Sequence, residues 1–227
     1  MAIQQRALQT RRRVLEAAAV VFDEQAFNSA SISSILRRAR VTKGALYFHF
    51  GSKEELARSV MEEQKRCLVL TNTGLHVQTV IDITQGVARL IPADPTLRAS
   101  FRLTVEQGAM GQEDPSLYRW WLGIYCAHLV QARHAGELAA GVDPEDIAHL
   151  VVGAFTGTHL LTRVLHSHQD LVERVAAFWR TVLPGLVTER VLPRLAPYGS
   201  GDLQAALKGA RREGTAATTG APRSTAP

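Results

Sequence analysis

The stretch Val41-Thr42-Lys43-Gly44-Ala45-Leu46-Tyr47-Phe48-His49-Phe50 decides how this 227-residue chain is read. Thr42 suits an N-cap: its hydroxyl can accept a hydrogen bond from the first turn of a short helix over 43–49. Ser31 stands in the same relation to Ile32, Ile35 and Leu36, so a second short helix is expected over 32–39. Only Arg40-Val41-Thr42 joins the two. Further upstream, residues 5–25 place Leu8, Leu15, Ala18, Val21 and Phe22 mostly three or four apart, an apolar stripe along a longer helix. Two short helices, a tight turn and a bracing helix are the layout of a helix-turn-helix, whose second helix enters the DNA major groove.

The residues of the stretch suit that chemistry. Thr42 can cap the helix and touch a phosphate at once. Lys43 can reach a phosphate or a guanine edge. Gly44, with the small Ala45 beside it, lets the backbone approach DNA closely. Tyr47 and His49 can donate to phosphate oxygens, and Lys53 extends the contact onto the next helix. Leu46, Phe48 and Phe50 are expected as apolar fastenings that hold the short helix in place.

Downstream, Gly51-Ser52 breaks the chain and Ser52-Lys53-Glu54-Glu55 has the form of a capping box, so a helix should run from there to about Arg66. Further helical stretches are expected near 76–91, 95–109 and 115–135, punctuated by Pro92, Pro95, Gly111 and Pro115. Asp143-Pro144-Glu145-Asp146 resembles a helix start, with acids complementing the macrodipole, and leads a helix near 145–165. Another apolar series, from Leu171 through Val175, Phe178 and Val182 to Leu186, implies a helix near 170–190. Sustained period-two alternation is missing, so the expected fold class is all-α. Beyond Pro197 the composition turns to Gly, Ser, Ala, Thr and Pro, and Gly214–Pro227 reads as a disordered tail.

Composition narrows the class. The chain is 46% apolar and 21% charged, with 6% aromatic residues, which is ordinary globular usage. No run of eighteen apolar residues occurs, and the basic start leads into no apolar signal core, so a membrane-free, cytoplasmic protein is expected. Cys67 and Cys126 lie far apart and form no metal-binding pair. The net charge is +5. All of that surplus falls in the first fifty residues, where eight basic side chains face Glu16, Asp23 and Glu24. A basic head on a neutral body points to a nucleic-acid surface at one end.

The wording Thr42-Lys43-Gly44-Ala45-Leu46-Tyr47-Phe48-His49-Phe50, followed by Ser52-Lys53-Glu54-Glu55-Leu56, resembles the DNA-binding core of tetracycline-repressor (TetR) family regulators. With Arg6-Ala7 and Thr10-Arg11 ahead of the first helix, it is closer still to the γ-butyrolactone-receptor subgroup. Ala26 and Arg40 stand where that family usually has glycine. The resemblance implies an N-terminal three-helix DNA-binding domain (1–51), a C-terminal helical ligand-binding and dimerisation domain (52–196) and a largely disordered tail (197–227). It implies a homodimeric repressor that binds a palindromic double-stranded DNA operator and is released by a small effector. The two long C-terminal helices have broad apolar faces suited to a four-helix dimer interface.

For the effector, the resemblance singles out Trp121, spaced fifteen residues before Gly136, as the ring that stacks on a ligand, and Gln64 as a polar contact. Receptors of the subgroup often carry a hydroxyl at the position of Ala154; here Thr156 or Thr158 would have to substitute. The basic character of the chain is similar to that of pseudo-receptors, which respond to antibiotics or pathway intermediates instead of a butyrolactone.

Two other classes fit the sequence less well. An enzyme would have to use histidines such as His159, His166 and His168. The first two lie two turns apart, about 10 Å along one helix, and no H-E-x-x-H, G-x-S-x-G or phosphate loop occurs. No catalytic residue, cofactor or metal is expected. The other class is a basic adaptor binding acidic partners or membrane through the amphipathic 5–25 segment. Packing of Val21 and Phe22 against the two short helices leaves little free apolar face for that.

Overall fold

Residues 2–111 and 113–209 are described in the computed structural model of the chain. Among them the architecture is helical, as expected, with one isolated β-bridge between Leu138 and Val187. The helices are α1 (Ala2–Glu24), α2 (Ile32–Ala39), α3 (Lys43–His49), α4 (Lys53–Met61), α5 (His76–Leu90), α6 (Pro95–Val105), α7 (Ser116–His134), α8 (Pro144–His166) and α9 (Leu171–Leu186). A further helical stretch covers 201–209. By packing, the chain divides into two compact units: residues 1–68 with 89–121, and residues 69–88 with 122–227.

In the first unit α1 packs against α2, α3, α4 and α6. Its buried stripe includes Val14, Ala18, Val21 and Phe22, which meet Ile35, Leu46, Phe50 and Leu56 in a core that excludes water from all eight. Phe22 and Phe27 stack at 5.9 Å. Burying large aliphatic and aromatic side chains stabilises such a core by roughly 1.5–3 kcal/mol each. An ion pair and a hydrogen bond tie α1 to α6. Arg98 holds Asp23 at 2.7 Å, and Arg102 donates to the carbonyl of Asp23 at 3.0 Å.

The caps read from the sequence are present. Ser31 accepts from Ser34 N, Thr42 from Ala45 N, and Ser52 from Glu55 N. Glu55 reaches back to Gly51 N at 2.8 Å, one residue beyond the usual capping-box partner. The helix expected to run from 52 to 66 does not keep one winding. α4 ends at Met61 and the chain tightens into a 3-10 turn over Glu62–Cys67. That change of phase turns Gln64 and Cys67 inward, both 1% exposed. The Cys67 thiol donates to the carbonyl of Gln64, and burial pushes its pKa up to about 12.

The second unit is built on α5, whose residues from Val77 to Ala88 are all buried. A helix surrounded on every side must satisfy its polar groups internally. Asp82 accepts from Thr71, from Gln78 and from both N and Oγ of Ser200. Gln85 donates to the carbonyls of Val172 and Pro197, and Thr84 accepts the indole N–H of Trp179 at 2.8 Å. Buried Glu137 caps α5, accepting from His76 N and Val77 N. α8 packs against α9, which ends at Leu186, earlier than the expected 190.

These bonds correct the expectation for the C-terminal segment. Within 197–227, residues 201–209 are helical and Leu203 is fully buried, because Asp82 and Gln85 hold the preceding loop. The remainder of the expected disordered tail lies outside the described residues.

Candidate nucleic-acid interface and effector contacts

The turn between α2 and α3 takes its shape from one residue. Arg40 caps α2 in the left-handed conformation, φ 53° and ψ 49°, donating its N–H to the carbonyl of Leu36. A side chain there costs about 1–2 kcal/mol relative to glycine. Ala26, the other departure from the family pattern, is not in that region. Arg13 braces the same turn by donating to the carbonyl of Ala39 at 2.8 Å.

α3 divides cleanly into an inner and an outer face. Leu46 is fully buried, and Phe50 just beyond it is 1% exposed. Thr42, Lys43, Gly44 and Tyr47 are exposed, Ala45 and His49 half-buried. The ammonium of Lys43 lies 5.9 Å from the Tyr47 ring. A Cβ built on Gly44 would meet no atom within 4 Å, and its φ is not left-handed. Nothing inside the protein demands glycine there.

Phe48 departs from its expected role as a fastening: it is 81% exposed. With seven residues in the helix, the inward direction is taken by Leu46 and Phe50, and position 48 turns outward. Its ring meets His49 edge-on at 5.1 Å. Lys53 is also differently engaged. Its ammonium donates to the carbonyl of Phe27 at 2.5 Å and lies 4.3 Å over the Phe27 ring. Partial burial pulls its pKa below the ordinary lysine value, against the opposing field of Glu54.

The acids of this head are all taken up in ion pairs. Glu16 pairs with Arg12, Glu24 with Arg38, and Asp23 with Arg98. Among the described residues no carboxylate pairs with Arg37, Arg40 or Lys43, so the surplus positive charge gathers around the α2–α3 turn.

Of the expected effector contacts, the first unit holds two and joins them. The indole N–H of buried Trp121 donates to Gln64 Oε1 at 3.1 Å, and Gln64 Nε2 donates to Thr104 Oγ1 at 2.6 Å. Thr104 passes the chain on to the carbonyl of Ser100. Beside Thr104 a cleft of about 390 Å³ is lined by Gln107, Glu113, Asp114 and Tyr118 among others. Burial raises the Tyr118 phenol pKa. Trp120 packs edge-on to Trp121 at 4.8 Å and lies under Lys65. Thr156 and Thr158 belong to the second unit. Thr158, with Thr84, Phe155 and Trp179, lines a void of about 10 Å³, room for one water. Thr156 does not line it.

His159 and His168 stack at 4.8 Å, brought together because Ser167 and His168 both take left-handed backbone. Among the described residues no group of three or more His, Cys, Asp or Glu could hold a metal ion. No helix among them is long and apolar enough to cross a membrane.

A two-helix motif with an outward polar face, capped and braced by a third helix, defines a helix-turn-helix DNA-binding protein. The family comparison makes that specific. Residues 14–60 match the family of bacterial regulatory proteins described as tetR, and residues 75–188 match the tetracyclin repressor-like C-terminal domain. The chain is 38% identical over 216 residues to the A-factor receptor protein of Streptomyces griseus, covering 94% of this chain and 77% of the relative. A tetR regulator, TylP, from Streptomyces fradiae superposes with a TM-score of 0.79 at 39% identity, over 90% of this chain and 99% of that one. A γ-butyrolactone receptor, an ArpA-like protein, superposes with a TM-score of 0.65 at 29% identity, over 91% and 99%. The chain belongs to the TetR family of DNA-binding transcriptional regulators.

Proposed function

We propose that this protein is a homodimeric repressor that binds a palindromic operator through α3 and leaves it when a small effector binds. The observation that carries the reading is the outer face of α3, where Thr42, Lys43, Gly44 and Tyr47 stand exposed beside cations that pair with no acid among the described residues. Lys43, with Gly44 and Ala45 allowing close approach, addresses bases; Thr42, Tyr47 and His49 address phosphates. Lys53 has two further N–H donors beyond the one given to Phe27, and one of them serves a phosphate. Residues 1–51, with Lys53 just beyond them, thus act on DNA, and the rest of 52–196 acts on effector and partner subunit.

Dimerisation falls to the two long C-terminal helices, α8 and α9, of which α8 leaves Leu161, Val164 and Leu165 exposed at 62%, 74% and 65%. Apolar side chains at that spacing form one stripe and favour burial against a second copy. Its two recognition helices then address successive major grooves, which repeat at about 34 Å.

Trp121 and Gln64 are the proposed effector contacts, and the hydroxyls of Thr156 and Thr158 are candidates for further polar ones. A flat indole with one N–H suits a lactone of the butyrolactone type, and equally an antibiotic or pathway intermediate of similar size. The relatives named a γ-butyrolactone receptor and an A-factor receptor support the first class. Effector binding favours an arrangement in which the two recognition helices no longer match successive grooves.

The test begins by selecting bound duplexes from a random pool, then screening lactones and antibiotics for release. A recovered palindrome whose binding weakens steeply with salt yet stays above that of scrambled DNA supports the reading. Equal binding to random DNA and anionic vesicles at every salt concentration overturns it in favour of a basic adaptor.

A further inference from the structure

We propose that Arg40 is an operator-binding residue: a phosphate clamp set by the left-handed turn that leads into the recognition helix. The inference rests on the DNA-binding reading above and adds a residue to it.

Three observations point the same way. The turn demands positive φ, a conformation that glycine adopts freely, yet this chain holds an arginine there at φ 53°. A side chain kept in a strained backbone against that preference is a mark of function more than of stability. Secondly, Arg40 is exposed and, like Arg37 and Lys43, makes no ion pair among the described residues, whereas two other arginines near the turn are engaged. Arg38 pairs with Glu24, and Arg13 serves the carbonyl of Ala39. Its guanidinium contributes nothing visible to the fold. Thirdly, Arg40 lies two residues ahead of Thr42, the cap of α3, and so borders the helix that the reading places in the groove.

Arginine suits this task better than lysine. Its planar fork holds two phosphate oxygens at once and loses less freedom per bond formed. The contact is to backbone and carries no sequence information of its own.

The experiment compares the full-length chain with Arg40→Gly, Arg40→Gln and Arg40→Lys on a duplex that the wild type selects, and on a scrambled duplex of equal length. Affinity is measured from 50 to 300 mM salt, about the range in which phosphate contacts dominate. Loss of the clamp makes the plot of log K against log salt shallower by about 0.9 per half-site in the Gly and Gln variants. Affinity falls by the same factor on both duplexes, and Arg40→Lys restores part of it. Thermal melts separate this from folding, because Arg40→Gly relieves the turn and raises the melting temperature while DNA binding weakens. An unchanged salt slope, with wild-type operator binding intact, overturns the clamp and leaves the repressor reading standing. A loss confined to one base pair of the selected duplex also overturns it, assigning Arg40 to base readout. A wild type that selects no duplex removes the repressor reading itself.

Discussion

The indole N–H of Trp121 donates to Oε1 of Gln64 at 3.1 Å, although 57 residues separate them. Both side chains are buried, and Gln64 hands its own N–H to Thr104. Of the side chains proposed to meet an effector, Trp121 and Gln64 are therefore already satisfied, by each other and by Thr104. An effector must exchange these bonds, not merely add to them, so its affinity reflects a difference between two bonded states.

Trp121→Phe tests that exchange. Phenylalanine keeps a flat aromatic ring but loses the pyrrole half with its N–H, which leaves a small void and the Gln64 carbonyl buried without its donor. Such an orphan costs about 1–3 kcal/mol. Denaturant melts should show a loss of that size with operator binding in gel shift unchanged. If the effector uses the same N–H, its release of DNA should weaken at the same time. Full stability in the variant would mean that Gln64 finds another partner.

Gly44→Ala separates a protein requirement from a DNA requirement. Since a Cβ at this position meets open space, the fold should tolerate it, and the helix gains up to about 1 kcal/mol from alanine's better propensity. Operator affinity should nevertheless fall at least tenfold, because the methyl group occupies the gap between backbone and duplex. A variant that melts higher and binds equally well would place Gly44 away from the DNA.

Phe48→Ala follows from the outward ring. An 81% exposed phenylalanine adds little to the core, so stability should change by no more than about 0.5 kcal/mol. Apolar contact with a thymine methyl or a sugar would show as a several-fold loss of operator affinity, read by gel shift. Unchanged affinity would leave the ring without a role in binding.

Much of the head was legible because local chemistry dictates it. Ser31, Thr42 and Ser52 mark helix starts by hydroxyls that must find N–H donors, and the helices over 32–39 and 43–49 begin and end where those caps require. The helical period sets Phe50 about 40° from Leu46 and Phe48 about 200° from it. Expecting all three aromatic and aliphatic side chains to fasten the helix overlooked that phase. The rest of what local reading missed depends on partners far away. The tightening after Met61 has no punctuating Gly or Pro, and only the buried bonds of Gln64 and Cys67 account for it. The 201–209 helix was hidden by a composition that reads as a linker. Asp82 holds the preceding loop from more than a hundred residues away.

Leu161→Glu combined with Leu165→Glu tests the dimer. Both side chains are exposed on α8, so each subunit should still fold, with a surface-level change in stability. Two carboxylates facing their copies across a twofold axis should break association, and sedimentation should report half the wild-type mass. Operator binding should fall with it, because one half-site retains only part of the affinity. A substituted chain that still sediments with wild-type mass would move the interface to another face.

The stacked pair of His159 and His168 makes a pH prediction whose sign is fixed by burial. His159 is 1% exposed, and its pKa is pushed down to about 3, first by burial and then by electrostatic interaction with His168 and Arg163. An unfolded histidine titrates near 6.5. Between those values the unfolded chain takes up a proton that the folded chain refuses, so stability is complete above about 6.5 and drains as the pH falls. For this one group the slope approaches about 1.4 kcal/mol per pH unit. His159→Phe keeps a flat ring against His168 and removes the titration. Carboxylates contribute alike to both chains and cancel in the difference. Wild-type stability relative to the variant should therefore decline from pH 7 to pH 4, measured by denaturant melts at each pH. A constant difference across that range would mean that His159 accepts its proton within the folded protein.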